Sequence, residues 1–223
     1  MLSLYGCLAC VLLTPGERPV TIKRTPTKGQ VLLYQSRASV SIQGHDADLT
    51  SCRTKTVTDV DKEGNYTVES FESDQRVNDK PVQAPSHIFV TVSKPSGELI
   101  SVGPPGTPSA PDRSSVLLEV YYPPRAVGVG ETWSYEPKSV DKTSSIPFTA
   151  KMNYLGTEKV GTFDTWRIEE NLKESEGDSP ASTHIIAWLD VTDGSIVQET
   201  IDFSNLPYRP GVLMKGTMVL KRR

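Results

Sequence analysis

The chain reads as a mainly β protein: a single domain of antiparallel strands made of two pseudo-repeated halves, with at most one or two short helices. Three features point that way. Apolar and polar residues alternate over residues 32–43, the period of a half-buried strand. Seventeen prolines and sixteen glycines cut 223 residues into short segments, as many strands and turns require. Landmark residues of the first half recur in the same order about 100 positions later.

The first strand follows Lys28-Gly29-Gln30. Leu32, Tyr34, Ala38, Val40 and Ile42 share one parity, and Gln35, Arg37, Ser39, Ser41 and Gln43 take the other. Gly44-His45-Asp46 turns the chain into a Thr- and Val-rich strand from Asp48 to Val60. A second turn, Asp59 to Gly64, leads back through Tyr66-Thr67-Val68. His87 to Val92 is the next strand, closed by a hairpin at Ser96-Gly97. Gly103 to Pro111 contains four prolines and two glycines, which suits neither strand nor helix and reads as a surface loop. In the segment after it, Asp112 is placed to cap a short helix, with Val116, Leu117, Val120 and Tyr121 on one helical face. A β-branched strand is the rival reading there, and Pro123-Pro124 ends the segment either way.

The second half repeats the first. Gly29 and Tyr34 correspond to Gly130 and Tyr135, Tyr66 and Val68 to Trp166 and Ile168, and the His87…Gly97 hairpin to His184…Gly194. The offsets are 101, 100 and 97 residues. One such match is chance; three in order at one offset argue for duplication. The halves are 20–102 and 112–223, joined by the Pro-rich loop 103–111, and together form a single β domain over 20–223.

Residues 1–19 read as a secretory signal or lipoprotein leader. Met1 to Leu13 (MLSLYGCLACVLL) carries no charge and is nearly all apolar. It is too short for a membrane-spanning helix, which needs about 20 residues, but suits the apolar region of a signal. Leu4-Tyr5-Gly6-Cys7 resembles the box preceding a lipidated cysteine in bacterial lipoproteins, making Cys7 the candidate lipidation site. A basic segment before it and an Ala-x-Ala cleavage site are missing; a start upstream of Met1 would supply the former. The plain alternative is a hydrophobic strand of the core. The expected location is therefore exported, in the periplasm or cell envelope of a bacterium, with peripheral or lipid-anchored membrane association.

Composition excludes several functions. A net charge of -3 with Lys and Arg scattered among Asp and Glu gives no basic surface for nucleic acid. Cys7 and Cys10 form a Cys-x-x-Cys, but both lie in the leader, and zinc would need two further ligands. Cys52 is then the remaining thiol, a small filler in a strand. Asp59-x-Asp61-x-Glu63-Gly64 begins like a calcium loop, but its twelfth position is Ser70 and strands flank it, so a hairpin turn explains it. His87 and His184 occupy matched positions and could act as paired ligands or bases, or as hydrogen-bonded residues at strand mouths. There is no His-Glu-x-x-His and no Gly-x-Ser-x-Gly. Val127-Gly-Val-Gly130 enters a strand after prolines and is no phosphate loop. Trp133, Trp166 and Trp188 read as core. No catalytic, metal or cofactor set emerges, and the expectation is a non-enzyme without cofactor.

The stretch Pro123-Pro-Arg-Ala-Val-Gly-Val-Gly-Glu-Thr-Trp133, with the hairpin Ala187-Trp-Leu-Asp-Val-Thr-Asp-Gly-Ser-Ile196, resembles uncharacterised exported bacterial proteins similar to the LolA/LppX-like superfamily of envelope lipoproteins and carriers. The resemblance implies a strongly curved antiparallel sheet, an open half-barrel whose concave face holds acyl chains. This chain departs from LolA in having at most one good helical segment to cover that face.

Three functions follow as expectations. The first is an exported, non-catalytic envelope protein binding an apolar ligand, lipid or lipoprotein on the concave sheet. The second is a structural or protein-interaction module with a filled core, its face packed by Trp133, Phe148, Met152 and Trp166. The third is a hydrolase without a recognisable motif, which needs a His in hydrogen-bond reach of a nucleophile or carboxylate.

Overall fold

The computed structural model describes residues 18–82, 88–137 and 147–223. Cys7, Cys10, leader residues 1–17 and His87 lie outside the described residues. Twelve strands and one helix follow in order: β1 (Val31–Ile42), β2 (His45–Val60), β3 (Tyr66–Val77), β4 (Lys80–Pro81), β5 (Ile88–Ser93), β6 (Leu99–Gly103), α1 (Arg113–Leu117), β7 (Thr132–Tyr135), β8 (Phe148–Val160), β9 (Phe163–Glu174), β10 (Ser182–Asp190), β11 (Ile196–Arg209) and β12 (Val212–Arg222).

All belong to one open antiparallel sheet of order β6-β5-β3-β2-β1-β12-β11-β10-β9-β8-β7, with β4 beside β3. Each half is thus a meander laid down in sequence order, and both run across the sheet in the same direction. The seam between them is the pairing of β1 with β12, where Tyr34 stands opposite Arg222 and Val40 opposite Gly216. Landmarks matched in sequence fall on corresponding strands: Tyr34 and Tyr135 on β1 and β7, Tyr66 and Trp166 on β3 and β9.

Alternation decides which side of the sheet is covered. Tyr34, Val40, Met152, Tyr154, Ile168, Leu172, Ile185, Leu189, Ile201, Phe203 and Leu220 are buried on one face. Two straps close over it. Residues 18–30 bring Ile22, and residues 113–127 bring Leu117, Val120, Tyr121, Tyr122 and Val127. Each apolar side chain so buried contributes about 1.5–3 kcal/mol. The straps pair with each other through mutual backbone bonds between Val20 and Val127, at 2.9 and 3.0 Å.

The straps also bind the hairpins. Tyr122 N donates to Ser96 O at 2.9 Å in the β5–β6 hairpin, while Thr25 N donates to Asp193 O at 2.8 Å in the β10–β11 hairpin. Tyr122 joins both, because its hydroxyl donates to Gly194 O at 2.7 Å. Each strap leads into one half and locks onto the hairpin of the other.

Two expectations are corrected. The helix stops after Leu117, although Val120 and Tyr121 are buried as its face required. Tertiary partners take the peptide groups that a longer helix would have used: Tyr121 N donates to Glu170 Oε2, and Trp133 Nε1 donates to Tyr121 O, both at 3.1 Å. Asp112 does cap it, accepting from Ser115 N at 2.8 Å. Trp188 is not core. Its parity is opposite to that of Ala187 and Leu189, so it faces outward, donates to Glu158 Oε2 at 3.0 Å and lies under the Arg167 guanidinium. Trp133 and Trp166 pack on the core as expected, with Phe148 and Met152 within it. Tyr135 stacks on Tyr121 with ring centroids 4.1 Å apart.

Candidate functional site

The uncovered face carries a trough of about 1570 Å³. Its lining runs across adjacent strands from β2 to β8 and on to Glu136 just beyond β7. A flat sheet has no such hollow, so the face bends around it as strand twist accumulates. The side chains reaching it have the polar parity: Ser39 and Ser41, Asp46 and Asp48, Lys151, Lys173, Ser182, His184, Asp202, Ser204, Lys215 and Thr217. Asp46, Asp48 and Lys215 stand toward one end near Asn78, and Lys151, Lys173 and Glu136 toward the other. Asp48 is held by Ser39 Oγ at 2.7 Å, and Asn78 Oδ1 accepts from its backbone amide at 2.8 Å.

His184 sits in this trough between two carboxylates. Its Nε2 is 3.0 Å from Glu169 Oε1, and its Nδ1 is 3.8 Å from Asp202 Oδ2. Asp202 lies directly opposite on β11, and Glu169 is a diagonal neighbour on β9. An imidazole activating a hydroxyl needs one nitrogen on that hydroxyl and the other on an orienting group. Here both nitrogens face carboxylates. The arrangement ties three strands together on a half-exposed surface.

The residues of the calcium-like stretch form a turn: Asp61 accepts from Asn65 N and Nδ2, both at 2.8 Å, and Asp59 pairs with Lys28 at 2.9 Å. Among the described residues no group of three or more His, Cys, Asp or Glu is placed to hold a metal. Cys52 is a free, half-buried thiol on β2.

The covered face contains what the sequence reading missed: charged groups at core parity. Glu170 lies between Ile168 and Leu172, Glu199 between Val197 and Ile201, and Lys55 between Arg53 and Val57. The signal was there, a charge on the apolar parity of a strand. Glu170 is 1% and Glu199 3% exposed, and Oε1 of each has no hydrogen-bond partner. Burial pushes the Glu199 carboxyl up to about 7 against the attraction of Lys55, and raises Glu119 and Glu170 as well. Burial lowers Lys55, with Arg53 adding to the effect.

Lys55 and Glu119 line a second hollow of about 80 Å³, walled by β1, β2, β3 and β5 and roofed by the strap at Glu119, Val120 and Tyr122. Both keep some water-accessible surface although protein surrounds them, because they border a cavity and not packed core.

A scan against protein-family models gives no match to this chain, and a search of curated proteins finds no significant relative.

Proposed function

We propose that this chain is an exported, non-catalytic protein of the bacterial cell envelope that serves as an interaction module, holding a hydrophilic segment of a partner protein along the trough. The observation carrying this reading is the trough itself: about 1570 Å³, lined by hydroxyls and by charges of both signs toward each end. Such a surface matches an extended polar chain with complementary charges. The apolar leader and its Cys7 box support export and anchoring.

Lipid carriage, suggested by the resemblance to LolA/LppX-like proteins, calls for an open apolar hollow. Ile22, Leu117, Tyr121 and Met152 fill the apolar face, which favours the interaction reading. A benzophenone amino acid at Thr217 or Ser204 should crosslink to one partner in envelope preparations, whereas the same probe at the exposed turn residue Lys62 should not. Lys151→Glu with Lys173→Glu should remove the crosslink. Equal labelling from Lys62, or indifference to the charge reversal, would sink the proposal.

A further inference from the structure

Most charges drawn into this fold are paired. Arg113 meets Glu174, Arg222 meets Asp190, and Arg24 meets Asp193. Lys55 and Glu119 are the exceptions on the wall of the small cavity. Among the described residues, neither side chain has a hydrogen bond or an ion pair within 4.0 Å. Beyond that range the two attract each other, and the Lys55 ammonium is 5.7 Å from the Tyr34 ring centroid. Glu199, with its unpartnered Oε1, acts on both electrostatically.

Three other polar groups of the wall are already engaged. Tyr34 donates to Ile196 O at 3.0 Å and Tyr122 to Gly194 O at 2.7 Å. Arg24 is taken up by Asp193 and Gln30. The cavity wall thus carries one ammonium and one carboxylate that attract each other but share no hydrogen bond or close ion pair. Holding both largely out of bulk water without a hydrogen bond is costly, and charge-assisted hydrogen bonds would recover that cost.

We propose that this cavity binds a small zwitterion of amino-acid size, with its carboxylate on Lys55 and its ammonium on Glu119. A singly charged molecule would satisfy one group and leave the other bare. The tyrosine rings of the wall add cation–π attraction for the ammonium. Size sets the limit: one water needs roughly 10–15 Å³ of such space, so about 80 Å³ admits a molecule of a few heavy atoms and no chain. The site is independent of the trough on the opposite face.

The test is calorimetric titration of the full chain with L-alanine, acetate and methylammonium. L-Alanine should bind saturably and raise the melting temperature, and each single-charge compound should bind about tenfold more weakly or worse. Lys55→Met should weaken L-alanine and acetate, and Glu119→Gln should weaken L-alanine and methylammonium, with circular dichroism confirming both folds. On the wild-type chain, which needs no variant to fold, L-alanine should shift the NMR ring signals of Tyr34, Tyr66 and Tyr122. Failure of L-alanine to saturate, affinity that survives both substitutions, or ring shifts confined to other residues would mean that the cavity holds water only.

Discussion

The carbonyl oxygen of Val120 occupies the space where a side chain on Gly97 would begin, and the carbonyl of Lys23 does the same to Gly194. Both glycines also have left-handed backbones, with φ of 87° and 71°. Gly97→Ala or Gly194→Ala therefore combines backbone strain with displacement of a strap, a loss of about 2–4 kcal/mol. Gly44, with φ of 82° but nothing within 4 Å of an added Cβ, is the control; its alanine variant should lose about 1 kcal/mol. Urea denaturation separates the two cases.

Glu174 is only 1% exposed and accepts from Ala181 N at 2.5 Å as well as from Arg113. Arg113→Ala leaves that carboxylate buried with its cation gone, a loss of about 3 kcal/mol or more. Arg113→Ala combined with Glu174→Leu should recover much of it, read as the urea midpoint of the double variant.

Glu199 has a folded pKa of about 7 against 4.5 for a free glutamate. The folded state thus holds more protons than the unfolded state between those values, and stability falls as pH rises. The contribution is complete below about pH 4.5 and lost as pH passes 7, on the order of 3 kcal/mol. Melting temperature across this window should decline for the wild type, and Glu199→Gln should flatten the decline. An unchanged slope in the variant would refute the assignment.

His184 makes its carboxylate contacts on a surface where its side chain is 40% exposed. His184→Gln should shift stability by no more than about 0.5 kcal/mol, measured by the same denaturation. The residue would then be dispensable for folding and free to serve the trough.

Period-two patterning made the strands legible, because a strand with one buried face must alternate. Leu32 to Gln43 and the hairpins at Gly97 and Gly194 were readable for that reason. The straps were not: Ile22 and Tyr122 are fixed by backbone bonds to distant hairpins, which leave no periodic trace. Trp188 misled because an aromatic in a strand suggests core, while its parity placed it outside. The trough was invisible since it arises from sheet curvature, a sum over many strands. The buried charges were within reach, as Glu170 and Glu199 interrupt apolar parity in plain view, but their grouping with Lys55 and Glu119 required the sheet order.

The seam between β1 and β12 sets the timing of folding. Tyr34 finds Arg222 as its neighbour only once the last strand exists, and contacts so remote along a chain close slowly. At a synthesis rate of about 5–20 residues per second, the first meander waits with the 12 residues of β1 unpaired on one side. A chain interrupted before β12 would leave a second raw edge, the 14 residues of β11. Unpaired edges of that length are templates for joining other chains. Keeping those edges from meeting other chains until the final strand is available is therefore part of what folding this topology demands.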